Sequence, residues 1–509
     1  MTRAVCQRND LHGNGIMRAR DQRESAAKAW LTVPAALVML LAAGCRPAAV
    51  TFPASPIACS ASRADYDVDG DGRADFFYFA DATGRFDRIG YDRNFDGQPD
   101  QVVRLDAVDP RLARHLVIVL DGIPYDVLAE FYKQGNLRLF HPPAVVVPPY
   151  PSMTDQCLED AFAYMPTEGA EAKYYSRSKR KVVGGTGDYL AGRNEPFVRI
   201  ISYRGPTLHD AFGYLHPRPL FRKEINEVKR IWDRRQRQEE VMYLVSTATM
   251  GTRYSRSGHL EILGQTQRLI NQVVYETGGM VKVTLFADHG QTQVAAEPAC
   301  LDSLLRSKGW RLTERPRRPR DVALIQFGLV TCAALTTPSP ADLATDLLTS
   351  QAVELASYAD GDKVIVRGRC GCGTIQSTDG ESFRYDFTGT DPLGLGIASG
   401  STVDGRALLK SSVAQRLNYP DALYRLWRAH FALMENAPDV LVSLDDRFYC
   451  GSGKFGKLVN IASTHGGLNR ANSATFFMTT AAPVPGPLRS EDIPGSLGTI
   501  FGRGFPYGR

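Results

Sequence analysis

The chain has little net charge. Its 60 Lys and Arg stand against 55 Asp and Glu, for a formal +5 over 509 residues. Residues 1–44 hold six Lys/Arg and three Asp/Glu, a net +3, so the chain from Cys45 onward stands at +2. That balance leaves no electrostatic footprint for a polyanion, and nucleic-acid binding is not expected. A membrane-spanning run is also missing. The conspicuous apolar stretch, Ala29 to Gly44, falls short of the ~20 residues a helix needs to cross a bilayer. Cysteine is sparse, nine in all. Cys370-Gly371-Cys372 is too tightly spaced for an ordinary zinc site and reads as a strand or loop feature. With Cys6 and Cys45 set aside, Cys59, Cys157, Cys300, Cys332, Cys370, Cys372 and Cys450 remain, an odd count that in an exported chain implies some disulfides and a free thiol.

What is present begins with an export signal. Arg18, Arg20, Arg23 and Lys28 precede the apolar stretch, and small residues follow it. Leu41-Ala42-Ala43-Gly44-Cys45 resembles a bacterial lipobox, which implies a lipoprotein signal over residues 1–44 and lipidation at Cys45. An uncleaved anchor and plain secretion are the alternatives. Arg46, not Asp, follows the cysteine, so the expected location is the outer membrane, facing the periplasm or the cell surface. Residues 45–64, rich in Pro, Ala and Ser, read as a tether.

Residues 65–106 read as a small β-rich unit. Asp67, Asp69, Asp71 and Asp75 occupy loop positions one, three, five and nine, with Gly72 at six. Asp92, Asn94, Asp96 and Asp100 repeat the spacing, with Gly97 at six. Several oxygen donors on a tight turn suit a hard cation, so Ca2+ is expected there. The twelfth-position Glu of an EF-hand is missing, since Tyr78 and Val103 stand in its place. A pair of solvated acidic β-turns is the alternative. Phe76 to Phe79 and Arg85 to Tyr91 read as strands joined at Thr83-Gly84.

From His115 the pattern changes. Leu116-Val117-Ile118-Val119-Leu120 is an uninterrupted apolar run, as in a strand buried on both faces. Val241 to Val245, Val283 to Ala287, Val440 to Leu444 and Ala474 to Met478 share that character, and helix-like segments such as Pro124 to Gln134 and Leu260 to Glu276 lie between. The alternation predicts an α/β domain over residues 115–503, a largely parallel sheet covered by helices on both faces, with a β-rich insertion in residues 291–440. Its composition, 43% hydrophobic and 23% charged, supports a sizeable core. The basic stretches at residues 222–237 and 315–320 read as a wet helix face and an exposed loop.

Chemistry-bearing residues sit where such strands end. Asp288-His289-Gly290 closes one apolar run and Asp121-Gly122 another. Thr154 ends Pro148-Pro149-Tyr150-Pro151-Ser152-Met153-Thr154, and His465 lies in Ser463-Thr464-His465-Gly466-Gly467. Open α/β sheets bind ligands at the carboxyl ends of their strands. Each residue alone has a plain structural use, as a turn cap or helix N-cap; the ordered set points to a site.

In their order these motifs resemble the alkaline phosphatase superfamily, in particular its type I phosphodiesterase/nucleotide pyrophosphatase branch, over about residues 115–503. Arg489-Ser490-Glu491-Asp492-Ile493 is similar to that fold's closing segment. The resemblance implies a divalent metal, zinc, held by Asp121, Asp288, His289 and the Thr154 hydroxyl. It further implies hydrolysis of a phosphate mono- or diester through a phosphothreonine, with Ser152 as the alternative nucleophile. No sulfatase-like Cys-x-Pro-x-Arg motif is found. The family's second ion needs Asp-x-x-Gly-His plus the histidine that His465 matches. Here the stretch reads Ala248-Thr249-Met250-Gly251-Thr252, so two of those ligands are missing. His259 is a substitute donor that lies several residues after the motif position, and it reads more simply as a surface histidine. Lys173, Arg177, Lys179, Arg180 and Lys181 follow the nucleophile as cations that could balance phosphoryl charge. The competing reading is a catalytically inactive ligand-binding or surface protein on the same scaffold.

Overall fold

Strands without polar interruption must be covered on both faces, and here they are. A seven-stranded sheet runs in the order Tyr203–Arg204, Glu239–Leu244, Arg114–Leu120, Val281–Ala287, Thr475–Thr479, Ala144–Val147, Leu488–Arg489. Every neighbouring pair is parallel except the two pairs made by Thr475–Thr479. Alternate side chains divide between the faces. Leu116, Ile118 and Leu120 enter a core with the helices Tyr125–Lys133, Pro217–Arg234 and Ser246–Glu276. Val117 and Val119 enter another, with Leu158 of Thr154–Ala161 and Leu497 of Ile493–Phe501. The sheet is largely parallel and helix-covered, as the sequence predicts.

Register decides where the site lies. Leu120 pairs with Leu244 on one side and Ala287 on the other. The three parallel strands therefore end level, and Asp121, Val245 and Asp288 open together on the carboxyl edge.

This computed structural model describes residues 49–164, 166–191, 196–206, 213–456 and 459–506. Cys45 and the signal lie outside the described residues. Residues 50–509 form one compact unit, and among the described residues no helix is long and apolar enough to cross a membrane.

A second sheet of nine strands spans Arg311–Leu312 to Ser401–Asp404 and takes in Val440–Leu444, which lies between Cys332–Thr336 and Val353–Asp360. The run at 440–444 is thus a buried strand, as read, but a strand of this largely antiparallel sheet. A continuous apolar run reports burial on both faces and carries no address for which sheet provides it.

The five strands from Ala58–Cys59 to Gln101–Arg104 form an antiparallel meander. Its aromatic residues share a core with the long helix: the Tyr275 ring lies 5.1 Å from that of Phe76 and 6.1 Å from that of Phe52. Packing begins at Val50 and Phe52, both buried, whose backbone N–H groups donate to Asn226 Oδ1 and Gln272 Oε1. All seven described cysteines are free thiols, so the disulfides expected from the odd count are not formed.

Candidate metal centre

Asp121, Asp288 and His289 converge behind the level strand ends. One ligand atom from each lies within 4.8 Å of the others, and all three residues are buried. Backbone N–H groups of Gly122 and His289 donate to Asp288 Oδ1 at 2.9 and 2.8 Å. The other oxygen, Oδ2, is buried and accepts no hydrogen bond. His289 Nδ1 lies 2.9 Å from the Gly290 carbonyl. Only a protonated Nδ1 suits that contact, so Nε2 presents its lone pair, 3.4 Å from Asp288 Oδ2 and 3.7 Å from Asp121 Oδ1. Burial pushes the Asp288 carboxyl up to about 6 and holds His289 down to about 4.

Thr154 reaches this cluster from the first turn of the Thr154–Ala161 helix. Its Oγ1 lies 3.4 Å from His289 Nε2. Ser152, the other candidate hydroxyl, is held differently. Its hydroxyl is fully buried, 3.1 Å from the Pro149 carbonyl, and accepts from Arg425 Nη2 at 3.0 Å. His465 closes the cluster from the other side. Its ring stacks on His289 at 4.0 Å and 13°. Its Nδ1 donates to the Ser152 carbonyl at 3.0 Å, again leaving Nε2 with a lone pair. Burial, then the neighbouring His289, holds its pKa down to about 3. Two carboxylates, two imidazoles that present Nε2 lone pairs and a hydroxyl thus gather, and among the described residues no Lys or Arg is hydrogen-bonded to them. A buried orphan carboxylate oxygen in that setting fits a divalent cation.

Sequence reasoning missed the residues that hold these ligands. Tyr243, one residue before the end of its strand, donates its hydroxyl to Asp121 Oδ2 at 2.5 Å. Thr247 Oγ1 bridges the Leu244 carbonyl and the Asp121 backbone. A tyrosine in an apolar run reads as core, and only the register shows it abutting Asp121. Groups that orient a metal ligand typically matter 10–100-fold in affinity. Tyr243→Phe is therefore expected to weaken binding of a divalent ion about 10-fold or more, read by titration against a chelator of known affinity, with the melting temperature nearly unchanged.

The second-ion stretch does not fit a metal. Ala248 carries no donor and Thr252 is a poor one. The space against Gly251 is filled: a methyl there would stand 2.0 Å from Gln291 Oε1 and 2.4 Å from His259 Nε2. His259, read from sequence as a surface histidine, is fully buried. Of the basic side chains after Thr154, Arg177 pairs with Asp439 at 3.0 Å, and Arg177, Lys179 and Arg180 are exposed.

No family model and no curated protein matches the chain. Among solved structures it is similar to a phosphonoacetate hydrolase from Sinorhizobium meliloti 1021 in complex with phosphonoformate, at 12% identity and a TM-score of 0.40, over 80% of this chain and 97% of that one. The same hydrolase in complex with phosphonoacetate gives 10% identity and a TM-score of 0.40 over the same shares. These likenesses are too distant to carry a reaction, and the site is read from its own residues.

The acidic loops repeat one geometry. Asp67 Oδ2 accepts from Gly72 N at 2.9 Å and Oδ1 from Gly70 N at 2.7 Å. Asp92 does the same toward Gly97 N at 2.6 Å and Phe95 N at 2.7 Å. Asp71 N and Asp96 N donate to Asp69 and Asn94, while Asp75 and Asp100 each accept backbone N–H groups from the loop they close. The carboxylates of Asp67, Asp69 and Asp71 gather within 4.8 Å of one another.

Proposed function

We propose that this protein is a metal-dependent hydrolase of phosphate mono- or diesters, with Thr154 as the nucleophile, on an alkaline-phosphatase-type fold of the phosphodiesterase/nucleotide pyrophosphatase branch. The observation that carries the reading is the Thr154 hydroxyl at the rim of the buried Asp121–Asp288–His289 cluster, 3.4 Å from His289 Nε2. Asp121, Asp288, His289 and Thr154, with His465 beside them, would hold one zinc ion. A bound divalent ion lowers the pKa of a hydroxyl and offsets charge on a transferring phosphoryl group. The chain's own residues do the rest. Thr154, in the first turn of its helix, bonds through Oγ1 to phosphorus as the bond to the leaving alcohol's oxygen breaks, and the hydroxyl proton departs with that alcohol. Water then displaces Thr154 and regenerates the hydroxyl. His289 and His465 stay neutral with their Nδ1 protons held by carbonyls, and burial keeps bulk water from Asp121, Asp288 and His289. The substrate is a phosphorylated small molecule or a phosphodiester.

The reading is tested by hydrolysis of a generic phosphodiester and a phosphomonoester, with metal content measured on the same protein, for wild type and Asp288→Ala. Metal-bound wild type that turns over, against a variant without metal or turnover, is the expected result. Metal-bound protein inert on both ester classes would sink the reading in favour of ligand binding alone.

The acidic loops would take Ca2+, and Cys45 would carry the lipid that holds the chain at the outer membrane. A ligand present at 100 times its Kd stabilises a fold by about 2.7 kcal/mol. Saturating Ca2+ is accordingly expected to raise the melting temperature by several degrees, and Asp67→Ala with Asp92→Ala to abolish that rise. An unchanged melting temperature in wild type would leave these loops as solvated turns.

A further inference from the structure

Gln291 and His259 border the metal-binding carboxylates, yet neither takes part in the chemistry above. Both side chains are fully buried. His259 Nε2 and Gln291 Oε1 are 3.0 Å apart. The Gln293 amide nitrogen lies 3.4 Å from His259 Nδ1, as a donor, so the ring proton sits on Nε2 and points at Gln291 Oε1. Gln291 Nε2 in turn donates to the Ala248 carbonyl at 3.4 Å, and the Ser463 hydroxyl approaches Gln291 Oε1 at 3.5 Å. The amide thus touches both segments that would have supplied a second ion, the Ala248–Thr252 stretch of the Ser246–Glu276 helix and the loop leading to His465. There is no slack around it. A methyl on Gly122 would lie 3.0 Å from Gln291 Nε2, and one on Gly251 would overlap the amide and the imidazole.

We infer that the Gln291–His259 pair stands in place of a second metal ion. It ties the start of the Ser246–Glu276 helix to the loop after Asp288 with neutral groups, and it fills the volume an ion and its ligands would need. The centre therefore holds one divalent ion, and restoring ligands alone does not restore a second. This rests on the one-ion reading of the Asp121–Asp288–His289 cluster but not on turnover.

The test is metal stoichiometry. Full-length protein is equilibrated with excess Zn2+ in Ca2+-containing buffer, which occupies the acidic loops, then freed of loose metal and counted by plasma mass spectrometry. Wild type is expected to hold one zinc per chain. Ala248→Asp with Thr252→His is expected to hold one still. Adding Gln291→Ala to that pair is expected to raise the count to two, with the melting temperature showing that each variant is folded. Two ions in wild type, or in the double variant, would overturn the inference. So would a folded triple variant that keeps one. One ion without hydrolysis in wild type would overturn the hydrolase reading and leave this inference standing.

Discussion

Thr154→Ala is expected to lower kcat/KM for phosphoester hydrolysis by about 10³-fold or more while metal content falls little. The hydroxyl lies at the edge of a ligand set in which Asp121, Asp288 and His289 supply three donors without it. Its loss would remove the proposed attacking atom and leave the cluster standing. Thr154→Ser keeps that atom and is expected to retain measurable turnover. Ser152→Ala separates the two candidate nucleophiles: that hydroxyl is packed against the Pro149 carbonyl and Arg425 and is fully buried. Its removal is expected to cost some stability and much less activity than the change at Thr154. Steady-state kinetics on one diester and one monoester check all three. Equal losses at the two positions would contradict the assignment.

The second large effect is on stability. Arg425 is a fully buried guanidinium. Nη1 donates to the Pro420 and Leu468 carbonyls at 3.2 and 2.8 Å, and Nη2 to Ser152 Oγ and Ser473 Oγ at 3.0 and 2.7 Å. It pins the turn that presents Thr154 to the loop that follows His465. Burial lowers its pKa to about 10, far enough above neutrality that it stays charged. Arg425→Ala strands those acceptors and opens a cavity, and is expected to cost about 3–5 kcal/mol. Urea unfolding reads this as a lower midpoint at unchanged slope. Arg425→Lys, with fewer donors and no fork, is expected to recover part of the loss. A variant with wild-type stability would mean that the two loops hold their positions without the guanidinium.

Much of this site was legible because it lies at strand ends. Asp121 and Asp288 close apolar runs, and the level register of three parallel strands brings them together as the motif order implies. Thr154 and His465 were legible only through their motifs, since a threonine in a turn and a histidine before two glycines have no periodic signal. His259 was misread for a physical reason. It falls just before the helical pattern that begins at Leu260, whereas the helix itself starts at Ser246, is broken at Ser255, where φ is 49°, and carries His259 inward against Gln291. Lys229 shows the same limit within a regular helix. It sits in a basic stretch that reads as wet, yet it is buried with its ammonium between Asp233 and Glu276 at 2.6 and 2.7 Å. Gln291 and Arg425 were invisible because an amide and a guanidinium acquire their roles from partners far away in the chain. The five-stranded N-terminal sheet was legible as strands and turns. Its shared core with the long helix was not, because aromatic residues announce burial without naming the surface that covers them.

The most direct test of Thr154 as nucleophile is to mix the metal-loaded protein with a reactive aryl phosphodiester, quench in acid within the first seconds and map phosphorylated peptides by mass spectrometry. One phosphoryl group is expected, on Thr154, absent from Thr154→Ala and from protein stripped of metal. Phosphorylation of Ser152 instead, or full turnover in Thr154→Ala, would contradict it.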